Sequence, residues 1–266
     1  LQQVFPLVPM PNAQCPMPNA QCPMPNTQCP MTNNDFIGLA ISYIYAIGLL
    51  VLGEGLRRLF GVKPDLTRKV IHIGAGMWVF GVLLLFNHWQ IGIIPFATFI
   101  GLNYLFYRYR IIGAMDTQDS SPGTVYFAIS VTLLFGLLWR PEGPVDSIAI
   151  AVAGIMAMTW GDALAALIGR RFGQHKYQVG NSVRSWEGSA AMFVVSSVVI
   201  FLVLLLLPGS SLSPLAKPFS LAWALLTAVI TATFATLAEA VSPHGTDNLS
   251  VPLVAAGVIW VLMQGF

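Results

Sequence analysis

The sequence predicts an all-α fold: a polytopic bundle of about seven or eight membrane-spanning helices, N-terminus outside, with a polar active site at the cytoplasmic face. Three observations carry this. Charged residues make up only 9% of the chain and hydrophobic ones 56%, with a mean hydropathy of +0.72. A soluble domain carries about a quarter charged residues, so this chain has too little polar side chain to cover a water-facing surface. Apolar runs of roughly 20 residues, the length that crosses a bilayer, recur along the chain. The basic residues fall in alternate loops.

The runs lie at about 36–57, 70–87, 89–107, 123–139, 146–168, 187–207, 219–241 and 249–265. Asn34 and Asp35 are placed to cap the first, Asp65 the run into the second, and Ser185 with Glu187 opens the sixth. The second and third are joined tightly at His88-Trp89, which leaves the count between seven and eight. Of the thirteen lysines and arginines, all but Arg140 and Lys217 follow spans one, three and five. The positive-inside rule puts those loops in the cytoplasm, and the split favours eight spans.

Residues 1–30 form a separate tail. Cys15, Cys22 and Cys29 recur with a period of seven in "MPNAQCP MPNAQCP MPNTQCP". No histidine accompanies them and the spacing of zinc knuckles is absent, so duplication explains them better than metal or redox chemistry. A Pro- and Asn-rich repeat builds no packed core and is expected to be disordered. It lacks the basic start and apolar stretch of a signal peptide. Residues 31–266 are then the membrane-embedded domain, and Met31 stands as an alternative start. The net charge of +2, with no basic stripe interleaved with aromatics, excludes a nucleic-acid partner.

Three polar islands meet the cytoplasmic face. The first is "PDLTRKVIHIGAG", where Arg68 and His72 share a helix face, Lys69 is three residues from His72, and Gly76 leaves room for a close neighbour. The second runs from 159 to 193 and gathers Asp162, Arg170, Arg171, His175, Lys176, Arg184 and Glu187, with Gly169 and Gly173 flanking the two arginines. The third is "AEAVSPHGTDNLSVP", in which Pro243 and Gly245 end one helix. Asp247, Asn248 or Ser250 caps the next, with Pro252 in its first turn.

Singly, each island has a plain reading. The basic residues set topology, His72 is a satisfied polar residue in a bundle, Glu239 is interfacial, and Asp247 caps a turn. Asp162 resists this, because an ionisable group within a span is costly and functional by default. Together the islands suit nucleotide-dependent phosphoryl transfer. Arg170, Arg171, Lys176 and Arg184 would neutralise a triphosphate. Gly169 and Gly173 let backbone N–H groups approach an anion, and the helix starts near Ser185 and Ser250 add anion sites. Asp162, Glu187, Glu239 and Asp247 supply carboxylates for Mg²⁺, which takes one or two from the protein. Neither a G-x-x-x-x-G-K-[ST] loop nor a kinase-type glycine loop occurs.

Three motifs resemble the CTP-dependent polyprenol and lipid-alcohol kinases, the group holding dolichol kinase, phytol kinase and yeast-type diacylglycerol kinase. "RKVIHIGAG" matches through Arg68, Lys69, His72 and Gly76. "GDALAALIGRRFGQHKY" with "RSWEGSAAMF" is similar to the stretch regarded as the CTP site, through Asp162, Ala165, Gly169, Gly173, Ser185, Glu187 and Gly188. "AEAVSPHGTDNLSVPL" matches through Glu239, Asp247, Asn248 and Pro252. One departure is Arg184, where lysine is usual.

The resemblance implies a membrane enzyme that moves phosphate from CTP to a long-chain isoprenoid alcohol. The short core favours phytol over dolichol, farnesol, geranylgeraniol or diacylglycerol. It implies Mg²⁺ on Asp162 and on Glu239 or Asp247, with Arg68, Lys69 and Asn248 joining the phosphate contacts. The hydroxyl proton would go to a carboxylate, slightly favoured, or to His72. The heptapeptide tail resembles those of filamentous cyanobacteria, which implies an inner or thylakoid membrane. Two rival readings share features with this one. A phosphatidate-type cytidylyltransferase also needs CTP, Mg²⁺ and basic residues. A transporter could use a mid-membrane Asp162, but no repeat relates the two halves of the chain.

Overall fold

A computed structural model describes residues 31–109, 122–141, 146–180, 182–243 and 245–264. The repeat tail with its three cysteines, and Arg110, lie outside them. Every predicted span is helical: α1 (Asn33–Phe60), α2 (Pro64–Leu85), the short α3 (Trp89–Gly92) running into α4 (Ile94–Tyr109), α5 (Gly123–Leu138), α6 (Ile148–Met156) continuing through a π-helical segment (Ala157–Asp162) into α7 (Ala163–Phe172), α8 (Trp186–Leu206), α9 (Leu221–Val241) and α10 (Asp247–Met263). Among the described residues six helical segments are long and apolar enough to cross a membrane, while α5 and α10 are shorter apolar helices. The protein is an all-α polytopic membrane protein.

The α6–π–α7 rod is the centre of the bundle. All nine residues of α6 are buried, whereas α1, α4 and α8 expose large apolar side chains such as Ile44, Val51, Tyr104 and Val198 on their outer faces. A helix apolar on every side is at home between other helices. Those with exposed apolar faces are solvated by lipid. Small residues let the central backbones approach closely. A Cβ on Gly154 would come within 2.6 Å of the Pro252 carbonyl on α10, and one on Gly161 would run into Met192 and Ser196 of α8. Gly76 of α2 has the close neighbour expected of it, because a Cβ there would overlap the Thr159 side chain. Gly76→Ala is therefore expected to lower stability by about 1–3 kcal/mol through overpacking, read as an earlier thermal transition in detergent.

Four local features depart from the sequence reading. Thr32, rather than Asn34 or Asp35, caps α1, and Asp35 closes a capping box from the third position. That frees Asp35 Oδ1 to accept the Asn87 backbone N–H at 3.0 Å and lets Oδ2 meet His88 Nδ1 at 2.7 Å, tying α1 to the α2–α3 turn. Asp65 does not cap α2. The helix starts at Pro64, a fixed φ suited to a first turn, so Arg68 and Lys69 are helical. Thr246 precedes α10 without a side-chain cap, and Pro252 lies beyond the first turn. The stretch after α7, read as a loop, folds into an antiparallel hairpin of β1 (Lys176–Val179) and β2 (Ser182–Ser185). Gly180 takes the positive φ, 57°, of its turn. Ser185 caps α8 as expected, its Oγ accepting the Gly188 N–H at 3.1 Å.

Candidate active site

The three islands line one cavity of about 930 Å³. Its charged end is built from the first turns of α2, the end of α7, the hairpin, the start of α8 and the α9–α10 junction. Arg68, Lys69, His72, Asp162, Ala165, Gly169, Arg170, Gly173, Lys176, Arg184, Ser185, Gly188, Glu239, Asp247 and Asn248 all line it. Two of the residues expected to bind phosphate or metal through their side chains do not. Arg171 is exposed on α7, its guanidinium 5.6 Å from the Phe172 ring. Glu187 turns to His175, accepting its backbone N–H at 3.2 Å and meeting Nδ1 at 2.7 Å, so it fastens the hairpin to α8.

Asp162 is the last residue of the π segment. A π turn inserts an extra residue and is common at functional sites. Asp162 is buried, and its Oδ2 lies 2.5 Å from Lys69 Nζ and 3.8 Å from His72 Nε2. The lysine and the acid are nearly fully buried together. Such a pair persists only when both members are present. Across the cavity Arg184 reaches from β2 to the α9–α10 junction. Its Nη1 is 3.0 Å from Glu239 Oε1 and its Nη2 3.6 Å from Asp247 Oδ2. Nη2 also approaches the Glu239 and Ser242 carbonyls at 3.3 Å. One guanidinium thus holds two nearly buried carboxylates side by side and pins the hairpin over the site. Arg170 meets Asp65 at 2.5 Å. Arg68 and Lys176 form no ion pair with any described residue, and so bring net positive charge to the cavity.

The glycines of the second island close the α7–α8 crossing. A Cβ on Gly169 would meet Ser185 Oγ at 3.0 Å and Gly188 Cα at 3.5 Å, and one on Gly173 would collide with the Gly169 carbonyl. This contact holds the hairpin against the end of α7. Three polar atoms in the cavity walls, His72 Nε2, Arg184 Nε and Asn248 Oδ1, are buried without a hydrogen-bond partner among the described residues. A buried polar atom left unpaired costs about 1–3 kcal/mol. Three around one cavity mark a place where a polar ligand belongs.

From the charged end an apolar arm runs between α1, α2, α4 and α5. Its walls include Tyr45, Leu49, Ala75, Trp78, Phe96, Phe99 and Phe127. α1 packs along α2 and α4 along α5, and the two pairs touch only sparingly. His72 sits at the junction, its ring 5.3 Å from that of Phe127 and at a steep angle to it. The sequence reading did not find this arm. Its trace was the run Ser42, Tyr45, Ala46, Leu49 at helical spacing on α1, which one greasy helix among eight does not betray.

A cavity with anion-binding chemistry at one end and a hydrocarbon groove at the other is what a kinase of lipid alcohols requires. The curated phytol kinase of Synechocystis sp. is 33% identical over 228 residues, covering 84% of this chain and 90% of its own length. The chain belongs to the phytol kinase family. This kinase is also 27% identical over 241 residues to the rice protein named "Probable phytol kinase 2, chloroplastic", with 84% and 74% of the two chains covered. It is 32% identical over 141 residues to the dolichol kinase of Schizosaccharomyces pombe, covering 53% of this chain and 24% of that one. No protein-family model and no solved structure matches it. It is a membrane-embedded phosphotransferase.

Proposed function

We propose that this kinase transfers the γ-phosphate of CTP to phytol. The observation that carries the reading is the single cavity that joins the polar islands to the apolar arm, with His72 at the join. The alcohol's tail lies in the arm and its hydroxyl stands beside His72. The hydroxyl oxygen forms the new P–O bond, the bond to the bridging oxygen breaks, and CDP leaves. Phosphoryl transfer asks the protein chiefly for position and charge. Lys69, Arg68 and Lys176 supply positive charge around the transferring group. His72 takes the hydroxyl proton on Nε2, which is buried, unpaired and in reach of both compartments. Asp162 holds Lys69 in place and faces His72.

Mg²⁺ fits the donor set. It is content with one or two carboxylates and takes its remaining ligands from phosphate and water. Glu239 and Asp247 gather around one guanidinium and would be the ion's protein ligands, and Asp162 lines the same cavity. Among the described residues no cluster of three such ligands forms a cage on its own. The ion would neutralise the phosphates and arrive with the nucleotide.

The comparisons favour phytol over dolichol: the match to the Synechocystis phytol kinase covers 84% of this chain and that to the yeast dolichol kinase 53%. The test is a donor and acceptor panel: membranes carrying the protein, γ-labelled CTP, ATP or UTP, and phytol, farnesol or diacylglycerol, with and without EDTA. Label in phytol from CTP, lost with EDTA, is expected. Equal labelling from all nucleotides would remove CTP from the proposal, and label only in diacylglycerol would remove phytol.

A further inference from the structure

The lining of the arm ends within the bundle. Along α1, α2 and α4 the residues that line it stop at Ser42, Trp78 and Pro95. Phe86 is pressed so close to Gly38 that a Cβ there would meet its ring at 2.8 Å, and Phe96 packs on Phe135 with ring centres 5.7 Å apart.

Trp78 is held in place from three sides. Its ring stacks on Tyr45 at 4.3 Å and 20°. Its Nε1–H donates to Ser42 Oγ at 3.2 Å, and that hydroxyl donates in turn to the Gly38 carbonyl at 2.7 Å. Gly81 lies beneath, where a Cβ would come within 2.6 Å of the indole. Tyr45 is anchored as well, its hydroxyl donating to the Gly74 carbonyl at 2.9 Å. A side chain fixed by stacking, by a hydrogen bond and by a close backbone does not swing aside. Overlap with it would displace the hydroxyl of a longer substrate from His72, and reaction rates fall steeply with such misplacement.

We infer that Trp78, braced by Tyr45 and Ser42, is the stop of the alcohol's tail, so that it sets the longest isoprenoid chain this kinase accepts. The inference rests on the proposed function. Ala75, three positions closer to the charged end and about 4.5 Å higher on the helix, lines the same arm with a small side chain. Enlarging it should shorten the arm where shrinking Trp78 lengthens it.

The experiment measures kcat/KM for farnesol, phytol, geranylgeraniol and longer polyprenols with wild type, Trp78→Ala and Ala75→Leu in membranes. Trp78→Ala is expected to raise the ratio of the next longer alcohol over phytol by roughly ten-fold or more, the scale on which apolar pockets discriminate. Ala75→Leu is expected to shift preference towards farnesol by a similar factor. Poor folding would lower all rates together and leave these ratios unmoved. Ratios unmoved in both variants, with activity retained, would overturn the stop and mean that the tail leaves sideways into lipid. Wild type active on none of the alcohols would overturn the substrate reading itself, and the stop with it.

Discussion

Asp162→Asn is expected to reduce phosphate transfer by roughly a thousand-fold, the scale of losing a preorganised charge in a phosphoryl or acyl transfer site. The carboxylate has two tasks that an amide does not perform. It holds the Lys69 ammonium at 2.5 Å and faces His72 Nε2 at 3.8 Å. Removing the charge leaves Lys69 buried without its partner, which costs about 3–5 kcal/mol where such a pair is dry. Stability and activity should therefore separate in a double variant. Lys69→Met with Asp162→Asn removes both charges, so its thermal transition in detergent should recover much of the loss. Turnover should remain at the level of Asp162→Asn. Recovery of turnover in the double variant would mean that the pair is only structural.

Arg184→Ala is expected to cost at least about a hundred-fold in turnover and to lower the thermal transition as well. Glu239 and Asp247 are nearly buried and share this one guanidinium. Without it two acids face each other in a poorly solvated wall, and the hairpin loses its tie to the Ser242 carbonyl. Arg184→Lys should fall between, within roughly ten-fold of wild type, because one ammonium keeps the charge and loses the fork. The dependence on Mg²⁺ concentration reads the mechanism. If Glu239 and Asp247 hold the ion, Arg184→Ala shifts the Mg²⁺ requirement as well as the rate. An unchanged Mg²⁺ requirement would place the ion elsewhere.

Much of the fold was legible because each span is a simple physical object. A run of apolar residues long enough for a bilayer has few ways to fold other than as a helix, and each of the eight runs is one. Ser185 was legible as a cap because its partner is three residues away on the same chain. The π segment was not, since nothing in "AMTWGD" departs from α-helical composition. The hairpin was missed for a related reason. Its pairing of Tyr177 with Arg184 depends on Gly180 at the turn and on Arg184 reaching the α9–α10 junction, a contact more than fifty residues away in sequence.

The site divides the same way. Its charged half was readable because Asp162 and His72 are conspicuous within apolar spans. How they meet was not readable: Lys69 pairs with Asp162 across ninety-three residues, and Arg184 contacts carboxylates where a phosphate ligand was expected. The apolar arm carries no composition signal at all, because Trp78, Phe96 and Phe99 are the residues any membrane helix uses. Only the splaying of α1–α2 from α4–α5 turns them into a groove.

Phosphoryl and nucleotidyl transfer differ in which phosphate of the nucleotide reaches the lipid. Purified protein in lipid nanodiscs, given CTP labelled at the α-phosphate in one reaction and at the γ-phosphate in another, separates the two with phytol and with a lipid phosphate as acceptors. The expected result is γ-label in phytol, no α-label in any lipid, and loss of the signal in Asp162→Asn. Label from the α-phosphate appearing in the lipid phosphate, with none from the γ-phosphate in phytol, would contradict it and make this cavity the site of nucleotidyl transfer.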